Sequence, residues 1–172
     1  MKSRNLQVVF SVVLILVAAV SMVSYLGDTT ATAKPSYSFT LNVAGKAYDP
    51  HSHEWVKVSL YLTGTEYGKL SMEIDLYVKG GDVNVQNFGT FPVSQGCGEI
   101  VYHHCHYIAL FIKLTSKYYG GNTALWCLSG RTGGKLYGKI LCVALYSDYI
   151  VIPHSGKVLK DLWLTGTLTP VH

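Results

Sequence analysis

The sequence contains few charged residues and almost no arginine. Only 14% of the 172 residues are charged, and beyond residue 34 the basic residues are scattered lysines plus the single arginine Arg131. Two of the fourteen basic and one of the ten acidic residues precede residue 34, which leaves a formal charge of +3 on the remainder. Nucleic-acid binding needs a concentrated basic patch or stripe. This composition therefore argues against nucleic acid as a partner.

The motifs of common catalytic chemistry are also missing. There is no G-x-S-x-G nucleophile elbow, and no glycine-rich phosphate loop connects a strand to a helix. The acidic residues are spread over separate segments, and only Glu73 and Asp75 stand two apart on one strand face. That spacing is typical of the solvent-facing side of a strand. We therefore predict that the protein is not an enzyme and holds no cofactor.

Helical periodicity is missing beyond the N-terminal leader, whereas signals for strands and turns are frequent. The chain has 17 Gly and 13 Tyr alongside many Val, Leu and Thr, a composition that favours strands joined by tight turns. Glycines at 64, 80–81 and 130–134 divide the alternating runs into about nine or ten short strands. This spacing predicts an all-β fold, a β-sandwich or jelly roll, whose first strands form an antiparallel meander.

The N-terminal leader is the one long apolar stretch. Lys2 and Arg4 precede an almost uncharged apolar run over residues 6–26, and Ala31-Thr32-Ala33 offers a small-x-small cleavage site. We predict that residues 1–33 are a signal peptide that exports the chain to the cell surface or the extracellular space. Because the run approaches the ~20 residues that span a bilayer, an uncleaved anchor helix is the alternative. Such an anchor is the only membrane contact that we expect.

All four cysteines, Cys97, Cys105, Cys127 and Cys142, lie beyond the leader. In an oxidising compartment an even number of cysteines is explained most simply by two disulfides. Pairing Cys97 with Cys105 and Cys127 with Cys142 would close two local loops, although the sequence leaves the other two pairings open. We therefore expect two disulfides and no free thiol.

A histidine-rich segment over residues 103–106 supplies a different hypothesis. On a strand His104 and His106 would share one face, and imidazole is a good ligand for zinc or copper. A complete metal site would need further ligands from another segment of the chain, such as His51 and His53. An exported zinc- or copper-binding domain is therefore an alternative to our main expectation, which is that no metal is bound.

The first strand after the leader alternates cleanly. Tyr37, Phe39, Leu41 and Val43 fall on one face, and small polar residues fall on the other. Such a strand can pair within its own domain or add to the sheet of a neighbouring subunit, since the hydrogen bonds and apolar contacts are the same in both cases. We predict that residues 34–44 are a donor strand, in which these four side chains enter the neighbouring subunit.

The segment just before that strand resembles part of a known family. Residues 24–32, Ser-Tyr-Leu-Gly-Asp-Thr-Thr-Ala-Thr, are similar to the aromatic-x-Asp-Thr end of the leader in the camelysin and TasA family of secreted biofilm fibre proteins, which includes archaeal bundling pilins. The resemblance implies a filament subunit that polymerises with copies of itself by donor-strand complementation. Residues 45–172 would then form the body of the subunit.

Aromatic residues support a third hypothesis. Trp55, Trp126, Trp163 and several of the tyrosines are available for a surface that binds carbohydrate or adheres to cells. This hypothesis expects all three tryptophan side chains to be exposed.

Overall fold

The computed structural model describes residues 37–68, 73–101, 106–116, 123–133 and 140–171. The chain divides into two units, Met1–Ala33 and Lys34–His172, and every described residue belongs to the second. The predicted signal or anchor helix therefore lies outside the described residues. Within the described ranges no helix is long and apolar enough to cross a membrane.

The described ranges form eight strands in one antiparallel sheet. The strands are β1 (Tyr37–Asp49), β2 (Glu54–Gly68), β3 (Glu73–Val85), β4 (Gly89–Val101), β5 (Tyr107–Thr115), β6 (Thr123–Gly133), β7 (Leu141–Val151) and β8 (Val158–Val171). Each strand pairs with the next one in the chain, and β8 pairs with β1. The described strands thus form a closed up-and-down barrel.

The predicted β-sandwich or jelly roll of nine or ten strands is wrong. Two packed sheets would each have two edge strands, whereas here every strand is paired on both sides, and β1 is bonded to β2 and to β8. The β1–β8 ladder joins the two ends of the domain, as in the pairing of Leu41 with Leu168. Closure of this kind removes exposed sheet edges.

Glycines that were expected to end strands lie inside them. Gly64 lies within β2, where a Cβ would overlap the carbonyl oxygen of Tyr77 and stand 2.7 Å from the ring of Phe39. Gly81 lies within β3 with φ of 150°, and a Cβ there would overlap the carbonyl oxygen of Tyr61. Glycine at these positions permits bends and close backbone approach without ending the strand. The strands are therefore fewer and longer than the sequence predicts.

The interior of the barrel is a packed apolar core. Alternation along β1 turns Phe39, Leu41, Val43 and Ala47 inward, all nearly fully buried, and the other strands contribute in the same way. An eight-stranded barrel is just wide enough inside for its side chains to fill. The outward positions of β1 carry mostly polar side chains between these apolar ones. The outer wall is therefore the surface on which binding residues can be presented.

Candidate functional site

The predicted donor strand pairs within its own chain in this structure. Phe39, Leu41 and Val43 lie in the protein's own core, while Tyr37, at the start of β1, is 47% exposed. The ladder with β2 extends over the whole of β1, and the ladder with β8 extends from Ser38 to Tyr48. Pairing between subunits stays a prediction.

The cysteines lie too far apart for the expected pairing of Cys127 with Cys142. In the β6–β7 ladder Cys142 stands opposite Gly133, six residues along the strand from Cys127, which corresponds to about 20 Å. Cys97 and Cys127 flank Phe111 across two strand spacings, about 10 Å, and a disulfide needs Cα atoms within ~7 Å. These three cysteines are free thiols here, so the expectation of two disulfides is not met among them. Cys105 lies outside the described residues.

The candidate metal ligands are not brought together. His51 and His53 lie in the turn between β1 and β2, at one end of the barrel. His106 directly precedes β5, at the other end, so a strand length of about 30 Å for the nine residues of β5 separates them. His104 lies outside the described residues. Within the described ranges no three His, Cys, Asp or Glu side chains are grouped so as to hold a metal ion.

Aromatic and lysine side chains gather on the outer wall formed by β2, β1, β8 and β7. The strand register arranges them in two rows of four, each crossing the strands in that order. The first row is Lys57, Lys46, Trp163 and Tyr146, and the second is Trp55, Tyr48, Lys160 and Tyr149. We call these eight residues the aromatic-lysine face.

Four of the rings on this face are open to solvent. Trp55 is 51% exposed, Trp163 56%, Tyr146 47% and Tyr149 59%. Neighbouring strands are ~4.8 Å apart, so Trp163 and Tyr146 are immediate neighbours, while Trp55 and Tyr149 are about 14 Å apart across three spacings. Grouped apolar side chains of this size at a surface are typical of interaction sites.

Contacts at one end of the face hold Trp55 in place. Its ring packs on that of Tyr48, with 5.5 Å between centroids and 58° between planes, and the Lys46 Nζ lies 4.6 Å from the Trp55 ring centroid. The Tyr48 hydroxyl is hydrogen-bonded to Nδ1 of His53 at 3.1 Å. Because these contacts limit the rotamers of Trp55, the ring is ordered before any ligand arrives.

The turn behind these contacts is also fixed. The His51 backbone N–H donates to the Asp49 carboxylate at 2.9 Å, and this bond holds the pKa of Asp49 below its ordinary value. His53 has a φ of 58°, in the left-handed region that a tight turn requires. The turn thereby places His53 within reach of Tyr48.

A bulge in β8 shapes the opposite side of the face. The β1–β8 register shifts between Lys46 and Tyr48, and Asp161 has a φ of 50°. Consecutive residues Lys160 and Asp161 are therefore both exposed, while Leu159 and Leu162 on either side are buried. A bulge re-aims side chains in this way, and here it presents Lys160 on the outer wall.

Two buried polar side chains point into the barrel at the end where β1 begins. Glu66 and Thr132 are each 6% exposed, and within the described residues neither the Glu66 Oε2 nor the Thr132 Oγ1 has a hydrogen-bond partner. Burial raises the pKa of the Glu66 carboxyl from 4.5 to about 7. Both atoms are closely surrounded by protein, so they do not line an open pocket.

Sequence reasoning identified part of the aromatic-lysine face. It named Trp55 and Trp163, which are exposed, but also Trp126, which is fully buried and donates from Nε1 to the Val151 carbonyl at 2.9 Å. It did not identify the lysines, because their proximity to the rings depends on pairing between strands that are distant in sequence. The local sequence showed only that Lys46 and Tyr48 alternate with inward-facing residues of β1 and so lie on its outer side.

Comparisons with known proteins do not place the chain in a family. No protein-family model matches it, and neither a curated protein nor a solved structure is similar enough to count as a match. The resemblance of residues 24–32 to the camelysin and TasA family therefore stays an expectation from the sequence.

Proposed function

We propose that the protein is an exported binding module whose aromatic-lysine face binds polysaccharide. The observation that carries this proposal is the cluster of four exposed rings, from Trp55, Trp163, Tyr146 and Tyr149, on one continuous part of the barrel wall. Within the described ranges the core is filled by other side chains, so these four rings do not contribute to it. Aromatic anchors of this kind contribute most of the binding free energy in many interfaces.

The chemistry of the face suits sugars. A pyranose ring has an apolar side of C–H groups that packs on an aromatic ring, and a rim of hydroxyls that needs hydrogen-bond partners. Tyr146 and Tyr149 supply hydroxyl groups beside their rings, and Lys160 supplies ammonium donors between Tyr48 and Tyr149. Apolar and polar contacts are thus available within one strand spacing of each other.

The shape of the face favours a polymer over an enclosed small molecule. The rings lie on an open wall and extend over about 14 Å across four strands. A chain of several sugar rings can contact such a surface along its length, with each ring adding a small increment to affinity. Small molecules, by contrast, are usually bound in concave pockets that cover most of their surface.

Filament assembly through a donor strand has less support from this geometry. With β1 paired along both of its edges, the barrel presents no empty groove for the strand of a neighbour. Assembly by that route would require β1 to leave its own barrel and to expose Phe39, Leu41 and Val43. The polysaccharide hypothesis requires no such rearrangement.

Binding to a panel of polysaccharides, measured by calorimetry on the purified protein, tests the proposal. We expect Trp163→Ala to weaken binding about tenfold, or about 1.4 kcal/mol. Tyr107→Ala is the matched control, because Tyr107 is an exposed ring on β5, on the other side of the barrel. Absence of binding by the wild type, or equal losses in the two variants, would contradict the proposal.

A further inference from the structure

Two lysines in the first row of the aromatic-lysine face stand directly opposite each other. Lys46 on β1 pairs with Lys57 on β2, and both side chains are exposed. Like charges at directly opposed positions of an antiparallel pair, with Cβ atoms about 5 Å apart, destabilise the sheet. The two charges therefore repel each other in the free protein, and the contact of the Lys46 Nζ with the Trp55 ring offsets part of this repulsion. An anion bound between the two lysines would reduce the remainder.

The other residues of the first row also favour the binding of an anion between the two lysines. Trp163 follows Lys46, and Tyr146 follows Trp163, so the row contains two cations, then two rings, and no acidic residue. The exposed carboxylates nearest the face are Glu54, which precedes Trp55, and Asp148 and Asp161, which lie on β7 and β8 between the first row and the second. The first row is thus the more positively charged part of the face.

From this arrangement we infer that the polysaccharide is anionic, with carboxylate or sulfate groups that bind Lys46 and Lys57 while the sugar rings pack on Trp163 and Tyr146. The backbones of Lys46 and Trp163 are one strand spacing, ~4.8 Å, apart. The Lys46 Nζ lies 4.6 Å from the Trp55 ring centroid, so its side chain has to leave that ring to meet a charged substituent on a sugar at Trp163. Hydrogen bonds between ammonium and oxyanion groups are stronger than those between neutral groups. This inference rests on the proposed function and specifies its ligand.

The lysine contacts should also have a measurable salt dependence. Lys46 and Lys57 are exposed, and interactions between exposed charges weaken as the Debye length falls from ~10 Å at 0.1 M salt to ~3 Å at 1 M. Ring packing on Trp163 is apolar and should persist. As the salt concentration rises, the affinity for an anionic polymer should therefore fall toward the affinity for a neutral polymer with a similar backbone.

The experiment titrates the full-length protein with a neutral glucan, a uronic-acid polymer, a sulfated polysaccharide and vesicles of anionic phospholipid, each at low and high salt. We expect the wild type to bind one or both anionic polymers roughly tenfold more tightly than the glucan at low salt. The double variant Lys46→Gln/Lys57→Gln should lose this preference, and Lys79→Gln, an exposed lysine on β3, should keep it. Preference for the uronic-acid or for the sulfated polymer identifies the anionic group.

The possible failures can be told apart. Equal affinity for neutral and anionic polymers, unchanged in the double variant, would overturn the anionic ligand and leave the proposed function standing. Absence of binding to any polymer would overturn both. Tighter binding to vesicles of anionic phospholipid than to any polysaccharide would also overturn the inference, because the lysines would then bind the surface of a membrane.

Discussion

Glu66 should make the stability of the barrel depend on pH. In the strand register Glu66 stands between Tyr37 of β1 and Leu76 of β3. Its buried Oε2 has no hydrogen-bond partner among the described residues, and burial raises the pKa of the carboxyl group from 4.5 to about 7. Between these two values the folded state binds more protons than the unfolded state. The stability that this group contributes is therefore complete below about pH 4.5 and is lost as the pH rises through 7.

The size of the effect follows from the pKa difference. A change from 4.5 to about 7 corresponds to roughly 3 kcal/mol, at about 1.36 kcal/mol per pKa unit. Glu66 stands two residues before the end of β2, so a small outward movement of the strand end would let water reach the carboxylate and reduce the penalty. We therefore expect the wild type to lose about 1–3 kcal/mol of stability between pH 5 and pH 8 from this group.

Glu66→Gln isolates this contribution. Glutamine keeps the shape of the protonated side chain but cannot ionise, so the variant should match the wild type at pH 5 and exceed it by about 1–3 kcal/mol at pH 8. Urea unfolding at pH 5, 6, 7 and 8 measures both proteins, and Glu99→Gln on the exposed side of β4 is the control. The reasoning is refuted if the difference between wild type and Glu66→Gln is the same at all four pH values.

Three further predictions concern the core, the cysteines and β1. Trp126→Ala should lower the free energy of unfolding by about 3–5 kcal/mol because the ring is fully buried. Trp163→Ala, at an exposed ring, should lower it by less than about 1 kcal/mol. Similar losses of stability in thermal unfolding of the two variants would contradict the assignment of Trp126 to the core and Trp163 to the surface. Peptide mapping without reduction should find no disulfide between Cys127 and Cys142, and such a bond would show that the β6–β7 register is wrong. Deleting residues 37–44 should unfold the monomer; a folded product that binds the missing strand as an added peptide would instead support pairing between subunits.

Several features could be predicted from local sequence because they depend on neighbouring residues. Alternation over residues 37–43 identified a strand and its buried face, and Phe39, Leu41 and Val43 are indeed buried. The first strands are antiparallel neighbours in sequence order, as expected, and the same order continues through all the described strands. Periodicity of two and turn composition are properties of a few consecutive residues, so they require no knowledge of the fold.

The candidate site was only partly predictable. Alternation shows that Lys46 and Tyr48 share a face of β1, but Trp163 joins them only because β8 pairs with β1 in one particular register. The same pattern did not reveal that Trp126 faces inward. A shift of one residue in register would have moved each of these side chains to the other face.

The sequence alone determined that the chain forms strands and which side of β1 is apolar, because these depend on the alternation of neighbouring side chains. Only the tertiary structure decided that the strands close into one barrel, that Gly64 and Gly81 lie within strands, and that Cys127 and Cys142 are remote from each other. It also brought residues 46–57 and 146–163 together on one wall. Closure and register depend on contacts between distant segments, and local alternation specifies a face but not a partner strand.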